Sequence, residues 1–252
     1  MFPIKDNIST DRFPLVTVGL ILANIVVYVL AVRHGGSLIS GPTTLTAIHY
    51  GAIPKALTQC LTRQELITST SIQCVSSGGT IPVWQTAFTA MFMHASILHI
   101  GGNMVFLWIF GNNVEDAMGP VKYLAFYILG GLVALALQVA VSPHSTAPTL
   151  GASGAIAAVL GGYIVLYPRA RVLTVVFIIL LFTVIELPAV VLLGVWFVQQ
   201  AVFGAADLTN PTGGGGGVAY FAHVGGFAFG LLTIRLLARR PRKQVPPRWP
   251  VY

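Results

Sequence analysis

A serine and a histidine stand inside apolar runs of this chain, seventy positions apart: Ser153 within Gly151-Ala152-Ser153-Gly154, and His223 within a run that opens at Ala222 and continues through Gly226 and Gly230. A serine hydroxyl becomes a nucleophile when a base within hydrogen-bond reach takes its proton, so the pair offers acyl transfer. An ionisable side chain in a spanning helix is costly and faces a partner or a water-filled cavity. Gly226 and Gly230 form a Gly-x-x-x-Gly face on which two helix backbones approach closely, and His223 projects from nearly the same face. His99 and Asn103 lie four residues apart and share one helical face; Asn103 is the preferred donor to an oxyanion, with His99 beside it. Each feature has a plainer reading. Gly154, Gly161 and Gly162 suit tight helix packing, His223 could be a structural histidine bonded across helices, and His99 with Asn103 could be interhelical polar packing.

The elements that must position these groups are membrane helices. The chain has 252 residues, 55% of them hydrophobic and 8% charged, with a mean hydropathy of +0.81. That excludes an ordinary soluble domain and predicts an all-α polytopic bundle. Spans of roughly 20 residues are expected near Pro14 to Val32, His94 to Val114, Val121 to Val141, Leu150 to Tyr167, Pro188 to Gly204 and Val218 to Ala238. Six helices result, in one domain over 14–238, with a cytoplasmic N-terminal segment 1–13 and a basic tail 239–252. The first span has no basic region leading to a small-residue cleavage site and reads as retained.

The formal net charge of +7 carries the topology. With a cytoplasmic N-terminus, every Lys and Arg except Arg33, Lys55 and Arg63 falls on the inner side. Both termini are then cytoplasmic and Ser153 lies toward the outer face. The tail cluster Arg239, Arg240, Arg242 and Lys243 follows a spanning helix directly, so anionic lipid headgroups, rather than nucleic acid, are its expected partner. Residues 34–90 form a long first loop with recurrent apolar positions, expected to rest at the membrane interface or to form a small cap. Cys60 and Cys74 lie in it, as a disulfide or as two free thiols. Residues 172–187 are apolar enough for a seventh span; an interfacial or re-entrant excursion is preferred, with Glu186, Leu187 and Pro188 opening the next helix. Gly213 to Gly217 is expected to be a flexible cap before the helix of His223.

Other chemistries find little support. No His-Glu-x-x-His motif occurs, and His94 and His99, five residues apart, should turn away from each other on a helix. The acids Asp6, Asp11, Glu65, Glu115, Asp116, Glu186 and Asp207 avoid the centres of the spans, which removes an aspartyl mechanism and leaves no evident third member for a triad. Gly-x-Ser-x-Gly is not formed, because residue 155 is alanine. A Ser-His dyad remains, with no metal or organic cofactor required.

These motifs, His99 with Asn103, Gly151 to Gly154, and Ala222-His223 with Gly226 and Gly230, resemble those of the rhomboid family of intramembrane serine proteases, in the same order along the chain. The resemblance implies a six-helix bundle that cleaves transmembrane protein substrates near the outer face. It implies Ser153 as nucleophile, His223 as general base and acid, and Asn103, His99 and the Ser153 backbone N-H as the oxyanion site. His94 matches a histidine common in that family. Two positions depart from it: Gln85 follows Trp84 where the family has Trp-Arg, and Ala157 stands where some members carry a tyrosine that stacks on the histidine, so another group must orient His223. Trp196, Phe197 and the glycine run are candidate gates. The competing readings are a rhomboid-like protein that binds membrane clients without cutting them, and a proton-moving transporter, for which internal repeats are missing. A bacterial plasma membrane is the expected location; oligomeric state is open.

Overall fold

The computed structural model describes residues 1–33, 35–59, 65–68, 71–74, 81–178, 181–209 and 218–238. Cys60, the glycines 213–217 and the basic tail 239–252 lie outside them, and with them the expectations for a disulfide, a flexible cap and lipid binding by the tail. The chain begins with strand β1 (Phe2–Asp6) and helix α1 (Leu15–Val32). The first loop contains α2 (Thr44–Tyr50), α3 (Pro54–Gln59), the hairpin β2 (Glu65–Thr68) and β3 (Ser71–Cys74), a 3-10 turn at Val83–Gln85 and α4 (Thr86–Thr89). Then come α5 (Ile97–Phe106), a π turn at Leu107–Gly111, α6 (Asn112–Met118), α7 (Pro120–Val141) and α8 (Ser153–Leu166). Strands β4 (Arg171–Ile178) and β5 (Leu181–Pro188) precede α9 (Ala189–Thr209) and α10 (Tyr220–Leu237).

The architecture is mostly helical, as composition predicts. Among the described residues four helices are long and apolar enough to cross a membrane: Leu15–Val32, Pro120–Val141, Ala189–Leu208 and Tyr220–Leu237. The other two expected spans take different forms. One is the continuous run α5–π turn–α6, which starts at Ile97 rather than His94 because the Ser96 hydroxyl accepts the His99 N-H at 3.2 Å and caps the helix there. The other is α8, whose 14 residues reach only about 21 Å. That is short of the roughly 30 Å hydrocarbon core, so one end of α8 begins within the bundle.

Helix α8 is the centre of the fold. Every residue from Gly154 to Tyr163 is buried, which fits a helix that is apolar all round. It lies between α7 and α10, and glycines set the spacing. A Cβ on Gly226 would run into the carbonyl oxygen of Gly154, one on Gly230 into that of Ala158, and one on Gly161 into that of Phe227. The backbones of α8 and α10 therefore touch, a separation that any side chain at these positions would widen. Helix α1 is anchored by an acid from another helix: Glu115 accepts Val16 N at 2.9 Å, Thr17 N at 2.8 Å and Thr17 Oγ1 at 2.7 Å, supplying the N-terminal cap that α1 lacks locally.

The largest departure from the helical expectation is a three-stranded antiparallel sheet, ordered β1-β4-β5. Residues 172–178 and 181–187 are not a spanning helix, and the excursion preferred there is built of strands. Their Val, Ile and Thr content favours strands, and they fold as a hairpin in which Arg171 faces Pro188 and Ile178 faces Leu181. Glu186 and Pro188 end the strand instead of opening the helix, and Glu186 meets Arg171 Nη1 at 3.1 Å across the hairpin. The segment 1–13, expected as a plain N-terminal extension, contributes β1, which pairs with β4 from Phe2↔Val175 to Asp6↔Val172.

This pairing delivers Asp6 into the bundle. Its buried carboxylate accepts hydrogen bonds from Asn113 Nδ2 (2.7 Å) and from the hydroxyl of Tyr163 on α8. Burial pushes the Asp6 carboxyl up to about 6, against the lowering effect of the Tyr163 bond. A folded-state value above the unfolded one means that the folded chain holds the proton more tightly. The resulting stability is full below the unfolded value near 3.8 and is lost as pH rises through about 6. We expect melting in detergent to show wild type losing on the order of 2–3 kcal/mol between about pH 4 and about pH 7.5 from this group. Asp6→Asn should flatten that dependence; an unchanged slope in the variant would show that Asp6 does not titrate in this window.

Candidate active site

The N-terminus of α8 opens into a cavity of about 520 Å³ bounded by α5, α7, α9, α10 and the first loop. Ser153 is the first residue of that helix, where backbone N-H groups have no partner within the helix. Its Oγ lies 2.7 Å from His223 Nε2. His223 sits in the first turn of α10, and the close approach of α8 and α10 at Gly154 and Gly226 is what lets so short a side chain reach the ring.

The segment before Ser153 is fixed by the first loop. Ala52 and Thr149 exchange backbone bonds of 3.1 and 2.8 Å, and Gly151 N donates to Ala90 O at 2.8 Å. Gly151 has a φ of +120°, and a Cβ there would meet His99 Nε2 at 2.8 Å, so both backbone and space require glycine. His94, fully buried, binds Phe92 O through Nδ1 at 3.3 Å and accepts the Ala152 N-H on Nε2 at 3.4 Å. It thus holds the turn from which Ser153 emerges. His94 and His99 do not turn away from each other. Because the helix starts only at Ile97, His94 precedes it, and the two rings meet edge to face at 5.1 Å.

His99 accepts the Ala95 N-H on Nδ1 at 3.4 Å, which leaves Nε2-H directed toward Gly151. Asn103 stands one turn further along α5. Its Nδ2 is buried with no hydrogen-bond partner among the described residues, and a Cβ at Gly151 would lie 3.6 Å from it. A buried amide left unpaired is destabilising, and such exceptions gather where a ligand or a reacting group supplies the missing acceptor. The π turn at Leu107–Gly111 follows one turn later, a distortion frequent beside functional sites. Ser153, His223, His99 and Asn103 therefore share one cavity, with Gly151, Gly154 and Gly226 shaping it and Gly230 seating α10 deeper in the bundle. Among the described residues no three His, Cys, Asp or Glu side chains cluster to hold a metal.

Two contacts of His223 escape a reading of the sequence, one with Gln200 and one with Trp196, which is expected only as a candidate gate. Gln200 of α9 places Oε1 2.7 Å from Nδ1, and the Trp196 ring lies against the imidazole at 5.7 Å between centroids. The sequence signal was a pair of amides, Gln199 and Gln200, inside an apolar helix. Phe197, adjacent to Trp196, stacks on Phe227 instead, at 4.5 Å. At position 157, alanine leaves the histidine ring to be flanked from α9.

The arrangement is a serine in contact with an imidazole, on the far side of that ring an amide acceptor, and in the same cavity the side chains of His99 and Asn103, the latter with a buried Nδ2 that has no partner among the described residues. A family model described as the Rhomboid domain matches residues 82–240, which include every one of these groups. The chain is 31% identical over 159 residues to Rhomboid protein 1, mitochondrial, of Saccharomyces cerevisiae, covering 61% of this chain and 42% of that protein. It is 32% identical over 159 residues to RHOMBOID-like protein 12, mitochondrial, of Arabidopsis thaliana, covering 57% and 43%. To the Presenilin-associated rhomboid-like protein, mitochondrial, of Mus musculus it is 30% identical over 138 residues, covering 54% and 36%. The alignments thus span about two fifths of the length of these relatives. They also correct the expected location: each of the three is mitochondrial by name, which overturns a bacterial plasma membrane.

Proposed function

The chain belongs to the rhomboid family, and from that premise we propose that it is a serine endopeptidase that cuts peptide bonds in or near the transmembrane segments of membrane-anchored proteins. The observation that carries this reading is the 2.7 Å contact between His223 Nε2 and Ser153 Oγ, at the mouth of a cavity into which Asn103 aims an unpaired N-H. The relatives' names favour a mitochondrial membrane as its setting.

Ser153 Oγ attacks the scissile carbonyl carbon as His223 Nε2 takes its proton. The carbonyl oxygen becomes an oxyanion, and Asn103 Nδ2-H, His99 Nε2-H and the Ser153 backbone N-H stabilise it. The tetrahedral intermediate collapses, the C-N bond breaks, and the imidazolium returns its proton to the leaving amine. Water then adds to the acyl ester with His223 again as base, releasing the acid and restoring Ser153. A helical substrate hides its peptide bonds within its own hydrogen bonds, so the cut segment must be extended when it reaches Ser153. Leu98 of α5 is 85% exposed while also lining the cavity, and Trp196 lines it from α9, which favours lateral access between these helices.

The test is cleavage of single-span substrates by the purified chain in detergent and in liposomes, with products placed by mass spectrometry. The reading predicts a cut within or next to the span. Intact substrate that co-purifies with the chain would instead favour a protein that holds membrane clients without cutting them.

A further inference from the structure

Resting on the protease reading above, we propose that Gln200 is a positioning residue for His223: its side-chain carbonyl fixes the ring proton on Nδ1, so that an uncharged amide sets the tautomer of the base. An imidazole in its neutral form carries one proton, and the two ring nitrogens compete for it. Gln200 Oε1 lies 2.7 Å from Nδ1, and Ser153 Oγ lies 2.7 Å from Nε2. With the carbonyl turned to Nδ1, that nitrogen holds the hydrogen and Nε2 presents a lone pair to the serine. With the amide turned over, its NH2 would donate to Nδ1, the ring hydrogen would move to Nε2, and Ser153 would face a donor that cannot take its proton.

The surroundings leave this task to α9. Gln200 is 8% exposed, and Trp196, one turn earlier on the same helix, covers the ring. Ala157 of α8 is too short to hold the imidazole. Gln138 of α7 is committed to the Ala222 N-H, which its Oε1 accepts at 3.2 Å. From α5 the titratable side chain that acts on His223 is His99, across the cavity. An amide meets the geometric need without burying a carboxylate beside the ring, where an ion costs more to desolvate than pairing returns unless its neighbours satisfy it. The cost is weaker support for the imidazolium than a carboxylate gives.

The experiment compares wild type, Gln200→Leu and Gln200→Glu as full chains, measuring kcat and KM from about pH 5 to about pH 9. Gln200→Leu is expected to lower kcat roughly 10- to 100-fold while KM stays within about twofold, since the substrate sites are untouched. Gln200→Glu should recover much of that loss and move the acid limb of the kcat/KM profile to higher pH, because a carboxylate favours the charged ring. A residue that only packs α9 would give no such displacement. Nitrogen-15 spectra of His223 read the tautomer without any turnover: Nδ1-H in wild type, and loss of that preference in Gln200→Leu. A wild-type tautomer in the leucine variant, or a glutamate profile that superimposes on wild type, overturns the proposal. Absence of cleavage by wild type would overturn the protease reading alone and leave the tautomer result to decide the role of Gln200.

Discussion

Ser153→Ala is expected to lower turnover of a membrane-anchored substrate by about 10,000-fold or more, and adding His223→Ala to it is expected to cost almost nothing further. On the proposed mechanism the two side chains act as one device. Without the serine the histidine has no proton to take; without the histidine the serine remains a neutral alcohol. Effects of residues that work as a unit do not add, so the double variant should resemble either single one. Helix packing, the plainer explanation for Ser153 and His223, predicts otherwise. Alanine at 153 in a helix already rich in alanine would leave activity within a few-fold of wild type, and the two changes would sum. Initial rates with one substrate, under conditions where all four proteins melt alike, separate these outcomes.

Asn103→Ala carries the second large effect, a fall in kcat of about 100- to 1000-fold with KM little changed. Nδ2 has no acceptor among the described residues, so on the proposed mechanism its hydrogen bond forms only as the carbonyl oxygen gains charge. Removing a bond made only at the transition state lowers kcat and kcat/KM together. The same substitution should stabilise the resting protein or leave it unchanged, because it deletes a buried unsatisfied donor. That opposition between activity and stability is diagnostic. If Asn103 were an interhelical strut, Asn103→Ala would lower the melting temperature and activity together.

The candidate site of this chain is legible in its sequence where polar residues interrupt apolar runs. Ser153, His223, His99 and Asn103 stand out for that reason, and Gly226 and Gly230 mark the face on which α10 meets α8. Gln200 is harder to single out because Gln199 precedes it: hydropathy marks two adjacent amides, and only the fold shows that one of them turns toward His223. The strands within 171–188 are masked by apolarity, since a continuous apolar run of that length also suits a membrane helix, although its β-branched Val, Thr and Ile content favours strands. His94 falls inside an apolar run that suits a helix, and only the capping of the His99 N-H by the Ser96 hydroxyl moves the helix start past it to Ile97. The bond from Asp6 to Tyr163 joins residues 157 positions apart, a contact for which local pattern carries no signal.

The most direct test of the central claim, that His223 activates Ser153 as a nucleophile, is covalent capture. The detergent-solubilised chain would be treated with a fluorophosphonate, which phosphonylates an activated serine with loss of fluoride, and the labelled residue mapped by mass spectrometry. The account predicts one adduct, on Ser153, that His223→Ala abolishes. Labelling of another residue, or of Ser153 at an equal rate in His223→Ala, would contradict it.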